Sequence, residues 1–136
     1  RETLRVVADQ VGAPTSARML ADLSAHAIRQ SMAERLAGRF ESDLFHLTAR
    51  GSTTWHGFAT RIIESARTLL PDQAIATRSI EAIATSDYPT PARRPANSVL
   101  DNSRFEKRFQ LRRAPWEESL QLVLEEVIEQ AGGPTR

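Results

Sequence analysis

The chain has 136 residues, 40% of them hydrophobic and 26% charged, with 18 basic against 17 acidic side chains and a formal net charge of +1. That length suits one compact domain, the composition is that of a globular chain, and no apolar run approaches the roughly 18 residues of a spanning helix. The charge balance argues against a dedicated nucleic-acid binder, and the absence of cysteine excludes disulfide scaffolds and thiolate zinc sites and fits a reducing compartment.

The chain opens Arg1-Glu2-Thr3-Leu4-Arg5 with neither an initiator Met nor a signal-peptide pattern. It is therefore read as the middle of a longer protein. Leu4 to Ala8 reads as a strand centred on Val6-Val7. Gly12, Pro14 and Thr15 make a turn, and Thr15 is placed to cap the helix that follows from about Ser16 to Met32 or beyond. Leu20, Leu23, Ala27 and Ile28 share one stripe of that helix. A connector with Gly38 leads to a short strand, Leu44 to Thr48, where His46 alternates with core residues. Gly51 punctuates the chain, and Ser52 or Thr53 can cap a helix from about Trp55 to Leu69. Phe58, Ile62, Ala66 and Leu69 line one face of it, and Pro71-Asp72 ends it. Ser79 to Thr85 reads as a strand. The prolines of Tyr88-Pro89-Thr90-Pro91-Ala92-Arg93-Arg94-Pro95 then exclude helix and central strand. Val99-Leu100 reads as a short strand, and Asp101 or Asn102 can cap a short helix to about Phe109. Pro115 opens the last helix, with Glu117 and Glu118 suited to its positive end. Trp116, Leu120, Val123, Leu124, Val127 and Ile128 are its buried stripe, and Gly132-Gly133-Pro134 ends it. Strands interleaved with helices give an α/β class with a small sheet.

The inventory of chemical groups limits catalysis. Short-chain dehydrogenase chemistry needs a Tyr with a Lys one helical turn later. The one Tyr, Tyr88, precedes a proline, and the one Lys is the distant Lys107. No three of the six glycines have the spacing of a dinucleotide-binding loop. No two of His26, His46 and His56 have the helical spacing of a metal site, and each reads as structural or surface. Core packing is the default for Trp55 and Trp116, with stacking on a sugar or base the alternative for Trp55. Arg93 and Arg94, held between prolines, either bind a diphosphate through their planar donor forks or form a solvated or salt-bridged loop.

Several stretches resemble one family. Val6-Val7-Ala8-Asp9-Gln10-Val11-Gly12-Ala13-Pro14-Thr15 resembles the Val-Val-x-Asp-Gln-x-Gly-x-Pro-Thr signature of dTDP-4-dehydrorhamnose reductases. Tyr88 to Ser98 resembles their proline-rich loop that ends Arg-Pro-x-x-Ser. Ser16 to Asp22, Phe45 to Gly51, Thr53 to Ala59 and Trp116 to Leu120 resemble further blocks in the family's order. The resemblance implies a fold, activity and partners. Residues 1–136 would be the C-terminal substrate-binding lobe of an extended short-chain dehydrogenase/reductase, a cytoplasmic enzyme. Its N-terminal Rossmann domain, absent from this chain, would hold NADPH or NADH and the Tyr/Lys pair. The parent enzyme would reduce dTDP-4-dehydro-β-L-rhamnose to dTDP-L-rhamnose, and this chain alone would be inactive. Gln10, Gly12, Pro14 and Thr15 would lie near the junction with the cofactor domain and the substrate. Arg93, Arg94, Asn97 and Ser98 would lie on the nucleotide side. Some members dimerise through acidic residues and a divalent metal, but Arg18 early in the first helix is basic, which argues against a metal-linked form of any homodimer. The alternative is a non-catalytic nucleotide-sugar-binding or regulatory subunit of the same fold.

Overall fold

The computed structural model describes residues 1–88, 90–92 and 94–132. In chain order the elements are β1 (Thr3–Val7), β2 (Val11–Gly12), α1 (Ala17–Leu36), β3 (Thr53–Thr54), α2 (Trp55–Leu69), β4 (Ser79–Ile83), α3 (Ser103–Phe109) and α4 (Trp116–Gln130). A 3-10 turn covers Thr85–Asp87.

Strand β1 pairs in parallel with β4, in a register running from Thr3↔Ser79 to Val7↔Ile83. A parallel pair needs a long crossover, and here it carries α1, β3 and α2. The amphipathic helix α2 packs on both strands and on α4. Met19 of α1, Ala49, and Trp116 and Leu120 of α4 form the core, with Leu23, Phe58, Ile62, Ala114 and Leu124 packed against it. Phe58 meets Trp116 edge to face, ring centroids 5.8 Å apart, a geometry worth about 1 kcal/mol beyond burial. Phe45, Phe105 and Phe109 form a second aromatic cluster.

Several expectations are corrected. Helix α1 is capped by Ser16, whose Oγ accepts the Met19 N–H at 3.2 Å, and not by Thr15. The Thr15 hydroxyl is engaged elsewhere. Its Oγ1 donates to the Ala13 carbonyl at 2.8 Å and accepts the Ala49 N–H at 3.0 Å. Helix α2 is capped by Thr54 rather than Ser52 or Thr53. Leu44 to Thr48 forms no strand and pairs with none among the described residues. Side chains satisfy its backbone instead: Asn102 Oδ1 accepts the Thr48 N–H at 2.7 Å, and Arg113 donates to the Thr48 and Ala49 carbonyls, each at 3.0 Å. Val99-Leu100 is likewise no strand, and both side chains are exposed. The inward side of α1 centres on Met19, whereas Ile28 is 59% exposed. On α4 the buried stripe thins out after Leu120, and Val127 is exposed. Strand β4 stops at Ile83 because Thr85 already belongs to the 3-10 turn. Gly133 and Pro134, expected to end the last helix, and Pro89 lie outside the described residues.

Candidate functional site

The site is built on Val11. Strand β2 pairs antiparallel with β3, Val11 opposite Thr54 and Gly12 opposite Thr53. On its other edge Val11 pairs with Asn97. The Val11 N–H donates to the Ala96 carbonyl at 2.8 Å, and the Ser98 N–H donates to the Val11 carbonyl at 2.9 Å. Three segments far apart in sequence are thereby stitched side by side. A Cβ at Gly12 would lie 2.9 Å from Ser98 Oγ, so a larger residue there would have to displace that hydroxyl.

A cleft of about 520 Å³ lies over this patch. Gln10, Gly12, Pro14, Thr15, Arg94 and Ser98 all line it, together with Thr53, Thr54, Trp55 and Phe58. Asn97 stands in the same backbone patch but not among the lining residues, and its Oδ1 accepts the Val99 N–H at 2.9 Å. Arg93 lies outside the described residues. Trp55 is 59% exposed in the first turn of α2, so the packing expected of it by default falls to Trp116 alone.

Behind the cleft, Asp9 accepts the Thr85 N–H on both carboxylate oxygens at 3.0 Å and the Thr85 hydroxyl at 2.5 Å. The hydroxyl bond, then the backbone bond, holds the Asp9 carboxyl below the ordinary carboxylate range. Gln10 Nε2 donates to Thr85 Oγ1 at 3.0 Å. Sequence reasoning did not single out Thr85, Thr53, Thr54 or Phe58 for this site. The only local signal was the Asp9-Gln10 pair directly after a strand.

Hydroxyls, backbone groups, one amide, one guanidinium and an exposed indole equip this cleft to hold a ligand with polar and flat parts. Among the described residues no three His, Asp or Glu side chains gather as a metal site needs. His56 is engaged with the Ile80 carbonyl at 3.3 Å, and His46 is exposed. The described residues do not form a dinucleotide cradle either: β1 runs into Ala8-Asp9-Gln10, with no cluster of glycines between strand and helix.

A small α/β lobe with such a cleft has the form of a ligand-binding domain. The chain belongs to the RmlD substrate binding domain family, which it matches over residues 1–129. It is 45% identical over 130 residues to a dTDP-4-dehydrorhamnose reductase of Burkholderia thailandensis, covering 96% of this chain and 44% of that protein. It is 42% identical over 129 residues to the Salmonella typhimurium protein of the same name, covering 94% of this chain and 41% of that one. The crystal structure of dTDP-4-dehydrorhamnose reductase from Bacillus anthracis in complex with NADP superposes with a TM-score of 0.69 at 25% identity, over 93% of this chain and 39% of that one. The chain thus spans well under half the length of the relatives it matches.

Proposed function

We propose that this chain is the substrate-binding part of a dTDP-4-dehydrorhamnose reductase and that its cleft receives the dTDP-sugar. The observation that carries this is the convergence of Gln10, Gly12, Pro14, Thr15, Arg94 and Ser98 on one cleft, joined to the identity with proteins of that name. Arg94 suits the diphosphate, since guanidinium binds phosphate oxygens through paired donors. The exposed face of Trp55 suits a flat base or the apolar face of a sugar ring. Gln10 and the Ala13 to Thr15 backbone suit sugar hydroxyls.

The parent enzyme reduces dTDP-4-dehydro-β-L-rhamnose to dTDP-L-rhamnose in the cytoplasm. A nicotinamide supplies the hydride, and the NADP of the Bacillus anthracis structure favours NADPH over NADH. A Rossmann domain outside this chain holds that cofactor and the acid/base pair, so this chain's own part is to bind, orient and shield the sugar. That domain is its first macromolecular partner. A homodimer of the parent, checked by light scattering, is the oligomer in keeping with this reading.

The test is titration of this chain with dTDP-L-rhamnose, followed by tryptophan fluorescence and calorimetry. Saturable quenching that disappears in Trp55→Phe is expected, because Trp116 is buried. No heat and no quenching up to millimolar ligand would sink the proposal. Joining the chain to a cofactor domain carrying Tyr-x-x-x-Lys separates the enzyme from a regulatory subunit of the same fold, which would bind the sugar without turnover.

A further inference from the structure

The hydrogen bonds behind the cleft have a fixed direction. An ionised carboxylate only accepts, so the Thr85 hydroxyl, 2.5 Å from Asp9 Oδ1, must donate to it. The Thr85 N–H, 3.0 Å from each Asp9 oxygen, holds the carboxylate in place for that bond. A hydroxyl has one proton. With that proton spent on Asp9, Thr85 Oγ1 can only accept from its other neighbour, which lies 3.0 Å away on the Gln10 amide. That neighbour must be the NH2 group. Geometry of the amide alone would leave its two ends interchangeable, but the polarity of the relay decides between them. The carbonyl oxygen Oε1 of Gln10 is then turned away from Thr85. It accepts no hydrogen bond from the described residues. Among the described residues no buried side-chain N or O atom lacks a partner, so this unbonded oxygen is not a buried one. Gln10 itself lines the cleft, and Thr85 does not.

We infer that Thr85 is a positioning residue: with Asp9 it locks Gln10 so that the cleft presents a carbonyl acceptor, which takes a neutral hydrogen-bond donor of the ligand. This rests on the reading of the cleft as the nucleotide-sugar site. Phosphate oxygens are acceptors only and are repelled from this point, which keeps the diphosphate toward Arg94. The donors available on a dTDP-sugar are the sugar hydroxyls and the hydroxyl or N–H groups of the nucleoside.

The experiment compares wild type, Thr85→Val and Thr85→Ser with two probes, dTDP-L-rhamnose and dTDP, and records the Gln10 side-chain NH2 resonances of the free protein. Valine keeps the shape of threonine and removes the relay, whereas serine keeps the hydroxyl. Thr85→Val should weaken dTDP-L-rhamnose about tenfold, the size of one lost oriented hydrogen bond. Thr85→Ser should stay within about twofold of wild type by the same reasoning. Loss confined to dTDP-L-rhamnose assigns the donor to the sugar, and equal loss with dTDP assigns it to the nucleoside. In the free protein the Gln10 amide protons should resonate away from their free-glutamine positions in wild type and Thr85→Ser and move toward those positions in Thr85→Val. Unchanged affinity for both probes in Thr85→Val overturns the inference while leaving the substrate reading intact. If wild type binds neither probe, the substrate reading fails, and the Gln10 resonances alone decide the relay: identical spectra in wild type and Thr85→Val would refute it.

Discussion

Replacing Thr15 by valine removes one hydroxyl and keeps the side-chain shape. That hydroxyl spends its proton on the Ala13 carbonyl at 2.8 Å and a lone pair on the Ala49 N–H at 3.0 Å. Ala49 is only 2% exposed, so water cannot replace the lost acceptor. A stranded buried N–H costs about 1–3 kcal/mol, and the second, partly buried bond adds about 1 kcal/mol. Thr15→Val should therefore lose about 3 kcal/mol. With a urea slope of about 2 kcal/mol/M, the unfolding midpoint followed by far-UV circular dichroism falls by about 1.5 M. Ser16→Ala removes only the helix cap, worth about 1 kcal/mol, and Thr15→Ser keeps the hydroxyl and stays close to wild type. The reasoning is refuted if Thr15→Val costs no more than Ser16→Ala. An unchanged midpoint with weaker dTDP-L-rhamnose binding would make Thr15 a ligand group and not a lock between the cleft loop and the core.

Asn102, 3% exposed, bonds the Thr48 N–H, the Thr48 hydroxyl and the Leu100 carbonyl. Asn102→Ala should cost about 3–4 kcal/mol, with faster hydrogen exchange at the Thr48 amide as its local sign. Gly51 has φ +83°, and a Cβ there would lie 3.2 Å from Trp116 Cδ1. Gly51→Ala should lose about 1–2 kcal/mol from the left-handed backbone alone, and an unaltered near-UV spectrum of Trp116 would count against the steric account. The carboxyls of Asp9, Glu34, Asp43 and Asp101 are all held below their ordinary range, by Thr85, by Arg108, by the Leu44 N–H and by the Ser103 N–H respectively. A folded pKa below the unfolded one gives stability that is present above the unfolded value, about 4, and lost as pH falls through the folded value. Melting temperature should therefore drop on acidification below about pH 4, and a rise there would contradict the assignment.

Helices α2 and α4 were legible because each carries an apolar stripe of several members between clear start and stop signals. Choosing the cap of α1 was not possible from sequence, since Thr15 and Ser16 are adjacent hydroxyls and only the burial of Ala49 decides which of them turns inward. Leu44 to Thr48 alternates as a strand does, yet its backbone partners are Asn102 and Arg113, which no local pattern announces. The family signature drew attention to Gln10, Gly12, Pro14 and Thr15, and to the loop that supplies Arg94 and Ser98. It gave no hint of Thr85, which reaches Gln10 only through the pairing of β1 with β4. Trp55 and Trp116 look alike in sequence, each beside a helix start, and only the packing of α4 against α2 buries one and leaves the other in the cleft.

The β1–β4 register acts as a ruler. Parallel strands deliver their carboxyl ends to the same edge, and Val7 opposite Ile83 means that two more residues on each chain bring Asp9 beside Thr85. A slip of one residue would shift one strand end by about 3.3 Å and turn every side chain to the opposite face. Asp9 and Thr85 would then miss each other, and Gln10 would lose its anchor without any change in the residues of the cleft. The alignment of two short strands thus sets the contact that anchors Gln10, and a substitution at Val6 or Ala82 that loosened it would be felt first in the cleft.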